Sequence, residues 1–146
     1  MRALLDINLL IALLDPDHAF HNRAHAWWAT NLKRGWASCP LTENGVVRIM
    51  SNPGYSQRAR FAPGDLISRL QQFATHTDHE FWPDDISLRD AAIFAADRIH
   101  SSRQLTDLYL LALAARHGGR LVTFDQGIPL SAVRSAKATN LCVTGQ

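Results

Sequence analysis

The composition of this 146-residue chain excludes an intrinsically disordered protein, because 47% of its residues are hydrophobic and only 19% are charged. The length is sufficient for a domain with its own core, and we predict a single domain over residues 1–146. Two cysteines cannot form a disulfide framework, which favours a reducing compartment. The formal net charge of +2 is too small to indicate nucleic-acid binding by itself.

The first predicted strand and the first predicted helix follow each other directly at the start of the chain. Residues 2–6 form a short apolar run that ends in Asp6, and residues 8–14 form an apolar run of helical character. Asp6 and Asn8 interrupt the apolar stretch, which is also too short to span a bilayer. We therefore expect a cytoplasmic protein with no signal peptide and no membrane association.

The middle of the chain alternates between predicted helices and predicted strands. Apolar residues at helical spacing indicate the helices, and short apolar segments followed by turn residues indicate the strands. The predicted elements are helix 21–33, strand 36–39, helix 43–50, helix 63–75, strand 80–82 and helix 88–99.

The most apolar predicted helix lies in the last third of the chain. Thr106 is predicted to cap a helix that runs to His117, and residues 108–115 are apolar on all sides, which indicates a buried central helix. Further strands are predicted at residues 120–125 and 141–143. Because strands and helices alternate, we predict a three-layer α/β/α domain around a mostly parallel sheet.

Four carboxylates occupy comparable positions where predicted strands and helices meet. Asp6 and Asp125 each end a strand, while Glu43 begins the helix after the second strand. Asp107 lies in the first turn of the central helix. Each acid alone also fits a purely structural role, such as a helix cap, a complement to a helix dipole or a turn residue. In a parallel sheet, however, all four would converge on the edge where ligands bind.

A cluster of carboxylates indicates a cation site. Carboxylates at close range repel one another and raise their own pKa values unless a cation lies between them. Oxygen ligands without histidine or cysteine favour Mg²⁺ or Mn²⁺. Such a site suits the attack of water on a phosphodiester, which leaves 5′-phosphate and 3′-hydroxyl ends.

Several short motifs follow one another along the chain. They are Asp6-Ile7-Asn8, Thr42-Glu43, the break at Ser51-Asn52-Pro53, Phe81-Trp82-Pro83-Asp84-Asp85, Thr106-Asp107 with the apolar run that follows it, and Thr123-Phe124-Asp125. Their order resembles that of PIN-domain ribonucleases, and most closely that of the VapC toxins of VapBC toxin–antitoxin systems. The resemblance extends over nearly the whole chain.

This resemblance implies a toxin that cleaves RNA endonucleolytically with Mg²⁺ or Mn²⁺, forms a homodimer and is silenced by a cognate antitoxin whose tail enters the active-site groove. It also implies roles for individual residues. Asn8 would orient Asp6 or a water at the site, and Thr106 would support the site by hydrogen bonding. The implied metal-site and catalytic acids are Asp6, Glu43, Asp107 and Asp125. One departure is Asn44, where the family pattern has an apolar residue, and it affects the local packing.

Two other functions remain open at the level of sequence. A phosphatase of the haloacid-dehalogenase type would use Asp6 as its nucleophile. Such an enzyme usually has a second aspartate where this chain has Asn8, and it needs a lysine near the phosphate, for which only Lys33 and Lys137 are available. A non-catalytic PIN module that binds RNA or protein is the second alternative, although an unused acidic cluster would cost stability.

Arginine and histidine residues outside the acidic cluster raise the questions of RNA contacts and of a zinc site. Arg103, just before Asp107, and Arg48 are candidates for contact with RNA phosphates, since phosphate contacts dominate nucleic-acid affinity. A cluster of His18, His21 and His25 raises the question of a zinc site, but no cysteine lies near it in the sequence. The RNA target is not specified by the sequence.

Overall fold

The central sheet of the computed structural model, which describes residues 1–145, is wholly parallel. Within those residues it has five strands in the order β3-β2-β1-β4-β5. The strands are β1 (Ala3–Leu5), β2 (Trp36–Ser38), β3 (His79–Phe81), β4 (Arg120–Thr123) and β5 (Leu141–Val143). The predicted α/β sheet is therefore confirmed, and every predicted strand is present.

Helices cover both faces of this sheet. The helices of the described residues are α1 (Ile7–Leu14), α2 (His21–Asn31), α3 (Pro40–Met50), α4 (Pro63–Thr75) and α5 (Leu105–Arg116). Neighbouring strand residues alternate between the two faces, as the period of a strand requires. Leu5 packs in the core beneath α1 to α4, whereas Leu4 packs in the core beneath α5. The three-layer α/β/α arrangement is the predicted one.

Helix α5 is the buried central helix that the sequence predicts. Six of its residues are almost completely buried, and they pack against β1 and β4 and against the segment around Phe94 and Val133. This burial fixes the first turn of α5, which carries Asp107, against the edge of the sheet where the strands end. No helix among residues 1–145 has the length and apolar character needed to cross a membrane.

The predicted helix over residues 88–99 is wrong. This segment consists of turns and a short 3₁₀ turn at Ala96–Arg98. Single turns form within it, but other backbone groups bond to a distant segment: the Ala95 N–H donates to Ala132 O, and the Arg134 N–H donates to Ile93 O. Long-range pairing, including the bridge between Phe94 and Val133, outweighs the helical propensity of the alanines.

Two helix starts also differ from the prediction. Helix α3 begins at Pro40, before the predicted start at Glu43, because proline is favoured in a first helical turn. Helix α5 begins at Leu105 after the N-cap Gln104, so Thr106 is not its cap. A 3₁₀ turn at Ser102–Gln104 leads directly into α5 and shifts the helix start toward the N-terminus.

Candidate active site

Three aspartates meet at the carboxyl ends of the central strands. Strands β1 and β4 are neighbours in parallel register, so Asp6 after β1 and Asp125 after β4 emerge at the same edge. Asp107 approaches from the first turn of α5, close enough to Asp6 and Asp125 for both carboxyl groups to raise its pKa. We refer to these three residues as the aspartate triad.

Asp6 is the most buried member of the triad, with 5% of its surface exposed. The Thr123 hydroxyl donates to its Oδ2 at 2.6 Å, and the Ile7 N–H donates to its Oδ1 at 2.8 Å. Burial raises the pKa of Asp6 and outweighs these two hydrogen bonds, which favour the ionised form. The charge of Asp125 raises the pKa of Asp6 further.

Thr123 is a site residue that the sequence reasoning missed. It is completely buried at the end of β4, and its hydroxyl also accepts a hydrogen bond of 3.0 Å from the Asp125 N–H. One side chain therefore fixes both Asp6 and the loop that carries Asp125. The sequence feature that could have identified Thr123 is a hydroxyl residue at the end of an apolar strand, two positions before an aspartate.

Asp107 holds a proton at neutral pH. Burial is the main cause that raises its pKa to about 8, and the neighbouring carboxyl groups of Asp125 and Asp6 raise it further. The pKa of Asp125 is lowered, because its carboxylate accepts hydrogen bonds from Asp107 and from the Gly127 N–H. The pKa values of Asp107 and Asp125 are thus shifted in opposite directions, so that Asp107 takes up a proton before Asp125 does.

Glu43 lies at the same edge of the sheet but is not among the groups that contact the triad. It is in the first turn of α3, after β2, and its Oε2 accepts a hydrogen bond of 2.6 Å from the Ser38 hydroxyl. The Ser38 oxygen is also 2.8 Å from His79 Nε2 on the next strand. The structure therefore brings three of the four predicted acids close to one another, while the carboxylate of Glu43 is held by Ser38.

The remaining predicted site residues make no hydrogen bond to the acids within the described part of the chain. Asn8 and Thr106 are both exposed, Asn8 on α1 and Thr106 on α5. Arg48 on α3 and Arg103 in the turn before α5 are also exposed. Their side chains face solvent, where a ligand could reach them.

The three histidines near the start of α2 do not form a metal site. His21 Nδ1 is 2.7 Å from Ala12 O, and His25 Nε2 is 3.2 Å from Leu13 O. His18 Nδ1 accepts a hydrogen bond of 3.0 Å from the Phe20 N–H. These rings satisfy backbone groups at the end of α1 and the start of α2, which is a structural role.

Comparison with known proteins identifies the family. The model of the family described as PIN domain matches residues 3–133. Ribonuclease VapC44 of Mycobacterium tuberculosis is 51% identical over 143 residues, which cover 97% of this chain and 98% of the relative. Ribonuclease VapC39 of the same organism is 44% identical over 90% of this chain and 94% of its own length. As the motifs predict, the chain belongs to the PIN domain family and, within it, to the VapC proteins.

Proposed function

We propose that this protein is a divalent-metal-dependent endoribonuclease that hydrolyses phosphodiester bonds of RNA, and that it acts as the toxin of a toxin–antitoxin pair. The main support is the aspartate triad, which lies at the edge of the sheet where ligands bind in α/β folds. Further support comes from similarity over nearly the whole chain to relatives that are named ribonucleases.

The donor set of the triad fits Mg²⁺ or Mn²⁺. It is made of carboxylate oxygens alone, and burial together with the neighbouring carboxyl groups raises the pKa of Asp107. Among residues 1–145, no three acidic, histidine or cysteine side chains already surround a common point, so the acids would have to draw together around a cation. Because metal ligands must be deprotonated, a cation would also displace the proton of Asp107. We propose Asp6, Asp107 and Asp125 as the groups that hold the cation, with Glu43 as the fourth acid.

The residues around the acids have distinct tasks in this proposal. A divalent ion bound there would supply charge neutralisation at the phosphate and an activated water. Thr123 and the Ile7 N–H fix the two oxygens of Asp6, so that this carboxylate stays in one orientation. Asp107 would give up its proton if a cation were bound, and Ser38 holds the carboxylate of Glu43.

The phosphatase alternative receives little support from the geometry. Asp6 is 5% exposed and both of its oxygens accept hydrogen bonds, which leaves it poorly placed for nucleophilic attack. Lys33 and Lys137 precede β2 and β5 respectively, so they lie toward the opposite edge of the sheet. The phosphate-binding lysine that this chemistry needs is thus absent from the neighbourhood of Asp6 in the described structure.

We extend the proposal to a cytoplasmic homodimer silenced by an antitoxin. A groove of about 340 Å³ between α3 and α4 borders Glu43, and its apolar lining suits a segment of a partner protein. The groove is lined by Trp36, Glu43, Asn44, Val47, Ile67, Leu70, Gln71 and Ala74. A partner chain seated there would cover one of the four acids.

Cleavage of total RNA by the purified protein, freed of any bound partner, tests the proposed activity. We expect discrete fragments with 5′-phosphate and 3′-hydroxyl ends in the presence of Mg²⁺ or Mn²⁺, and none in EDTA. Phospho-specific ligation of adapters to the fragment ends identifies the termini. Fragments that form equally well in EDTA, or that carry 2′,3′-cyclic phosphates, would contradict the metal-dependent mechanism.

The variant Ser38→Ala is expected to cleave RNA roughly tenfold more slowly, because Glu43 loses the hydroxyl that holds its carboxylate. Steady-state kinetics should show the loss in kcat, with KM little changed. Ser68→Ala, at an exposed position on α4, is the matched control. If Ser38 acts through Glu43, adding Ser38→Ala to Glu43→Gln should cause little further loss. Fully additive losses would argue against this role.

A further inference from the structure

A second concave surface opens beside Asp125. It has a volume of about 490 Å³ and lies between the start of α2, the loop after β4 and the C-terminal segment. The lining residues are Phe20, Arg23, Phe124, Gln126, Thr144 and Gly145. Phe124 and Gln126 flank Asp125 in the chain, so this cavity, which we call the α2 cavity, is bordered by the loop that carries Asp125.

The aromatic wall of the α2 cavity is held in place but not covered. The Phe20 ring centroid is 5.1 Å from that of Phe124 and 5.8 Å from that of His18. Even so, 39% of Phe20 remains exposed. Phe20 therefore presents a fixed aromatic surface to a ligand, so that little side-chain entropy would be lost on binding.

A permanent positive charge lies next to this ring. The guanidinium carbon of Arg23 is 5.1 Å from the Phe20 ring centroid, and the Arg23 side chain is exposed. Arginine stays charged at all physiological pH values and binds phosphate oxygens in a bidentate manner. The far wall is the chain at Thr144 and Gly145, which the Thr144 N–H anchors to Thr123 O at 2.9 Å.

We propose that the α2 cavity binds one nucleotide of single-stranded RNA next to the cleaved bond, with its base against Phe20 and its phosphate at Arg23. An exposed aromatic ring combined with an arginine is the combination by which proteins bind unpaired nucleotides. A base inside a duplex could not reach the ring, so the cavity selects unpaired RNA. This inference rests on the proposed function for its substrate class.

Binding of short fluorescent single-stranded RNA, measured by anisotropy in EDTA, tests the inference. All proteins carry Asp107→Asn to prevent cleavage. We expect Phe20→Ala to weaken binding about tenfold and Phe20→Tyr to retain it, since tyrosine keeps the aromatic face. Arg23→Gln should weaken binding. It should also make the slope of log affinity against log salt concentration shallower by about 0.7. Leu32→Ala and Arg34→Ala, at the exposed far end of the same helical region, should bind like the parent.

An abasic position moved along the RNA separates base stacking from other uses of Phe20. With the parent protein, one abasic position should weaken binding about as much as Phe20→Ala does, and with Phe20→Ala that position should have no further effect.

Undiminished RNA binding by both Phe20→Ala and Arg23→Gln would overturn the inference and point to a protein partner at this surface. Cleavage is measured separately, with the same substitutions at Phe20 and Arg23 made in the wild-type protein and with Mg²⁺ present. RNA cleavage that depends on neither residue would refute the nucleotide site and leave the nuclease proposal standing. RNA binding that depends on Phe20, together with no cleavage by the wild-type protein, would support the nucleotide site and refute the nuclease.

Discussion

The variant Asp107→Asn is expected to cleave RNA on the order of 10²–10³-fold more slowly than the wild-type protein while keeping its fold. Asparagine has nearly the shape of aspartate, but it has no carboxylate charge to offer to a cation. It also cannot release the proton that Asp107 holds at neutral pH and that a cation must displace. Initial rates on a labelled single-stranded RNA, with circular dichroism to verify folding, measure the effect.

Asp97→Asn is the matched control for this experiment. Asp97 is exposed in the 3₁₀ turn Ala96–Arg98, so its charge is removed without any change at the triad. The control variant should cleave at the wild-type rate. If Asp107→Asn also retained that rate in the folded state, the triad would not be the catalytic centre.

In the absence of divalent ions, the protein is expected to lose thermal stability as the pH rises from about 4 to about 8. The pKa of Asp107 is about 8 in the folded chain, against an ordinary value of 3.8. Between these values the unfolded chain releases a proton that the folded chain keeps, so every step up in pH favours unfolding. The raised pKa of Asp6 acts in the same direction, whereas the lowered pKa of Asp125 adds stability that is lost only in acid.

The melting temperature in EDTA should fall by on the order of 10 °C over this pH interval. Asp107→Asn should remove most of the fall, because the amide does not titrate, and should melt above the wild-type protein at pH 8. Mn²⁺ should restore the stability of the wild-type protein at pH 8 through binding to the folded state. Differential scanning fluorimetry with Asp97→Asn as control measures these differences. If the melting temperature of the wild-type protein in EDTA increased between pH 5 and pH 8, this would contradict the conclusion that Asp107 keeps its proton in the folded protein.

The positions of the three aspartates could be predicted because strand geometry determines them. Asp6 and Asp125 both follow buried apolar strands, and in a parallel sheet such residues must emerge at one edge. Asp107 could be placed because the helix that carries it is apolar on all sides and so must be central. Backbone topology alone thus determines where the triad forms.

The partners of the acids could not be predicted, because they depend on side-chain directions across the sheet. The Ser38–Glu43 contact spans a strand and the next helix, and the third member, His79, comes from a strand 41 residues further along the chain. Thr123 reaches Asp6 across 117 positions. The incorrect prediction of a helix over residues 88–99 has the same origin, since the bridge between Phe94 and Val133 determines the conformation there.

Asp6 has a structural role at the start of α1 that Asp107 does not share. Its carboxylate accepts the first N–H of α1, and this helix contributes six buried residues to the core. Losing the carboxylate would therefore weaken the framework as well as the chemistry, whereas losing Asp107 would relieve repulsion. A descendant of this protein that had abandoned catalysis would be under pressure to keep Asp6 and free to change Asp107. Among its relatives, the residue at the position of Asp107 is accordingly the better diagnostic of an active protein.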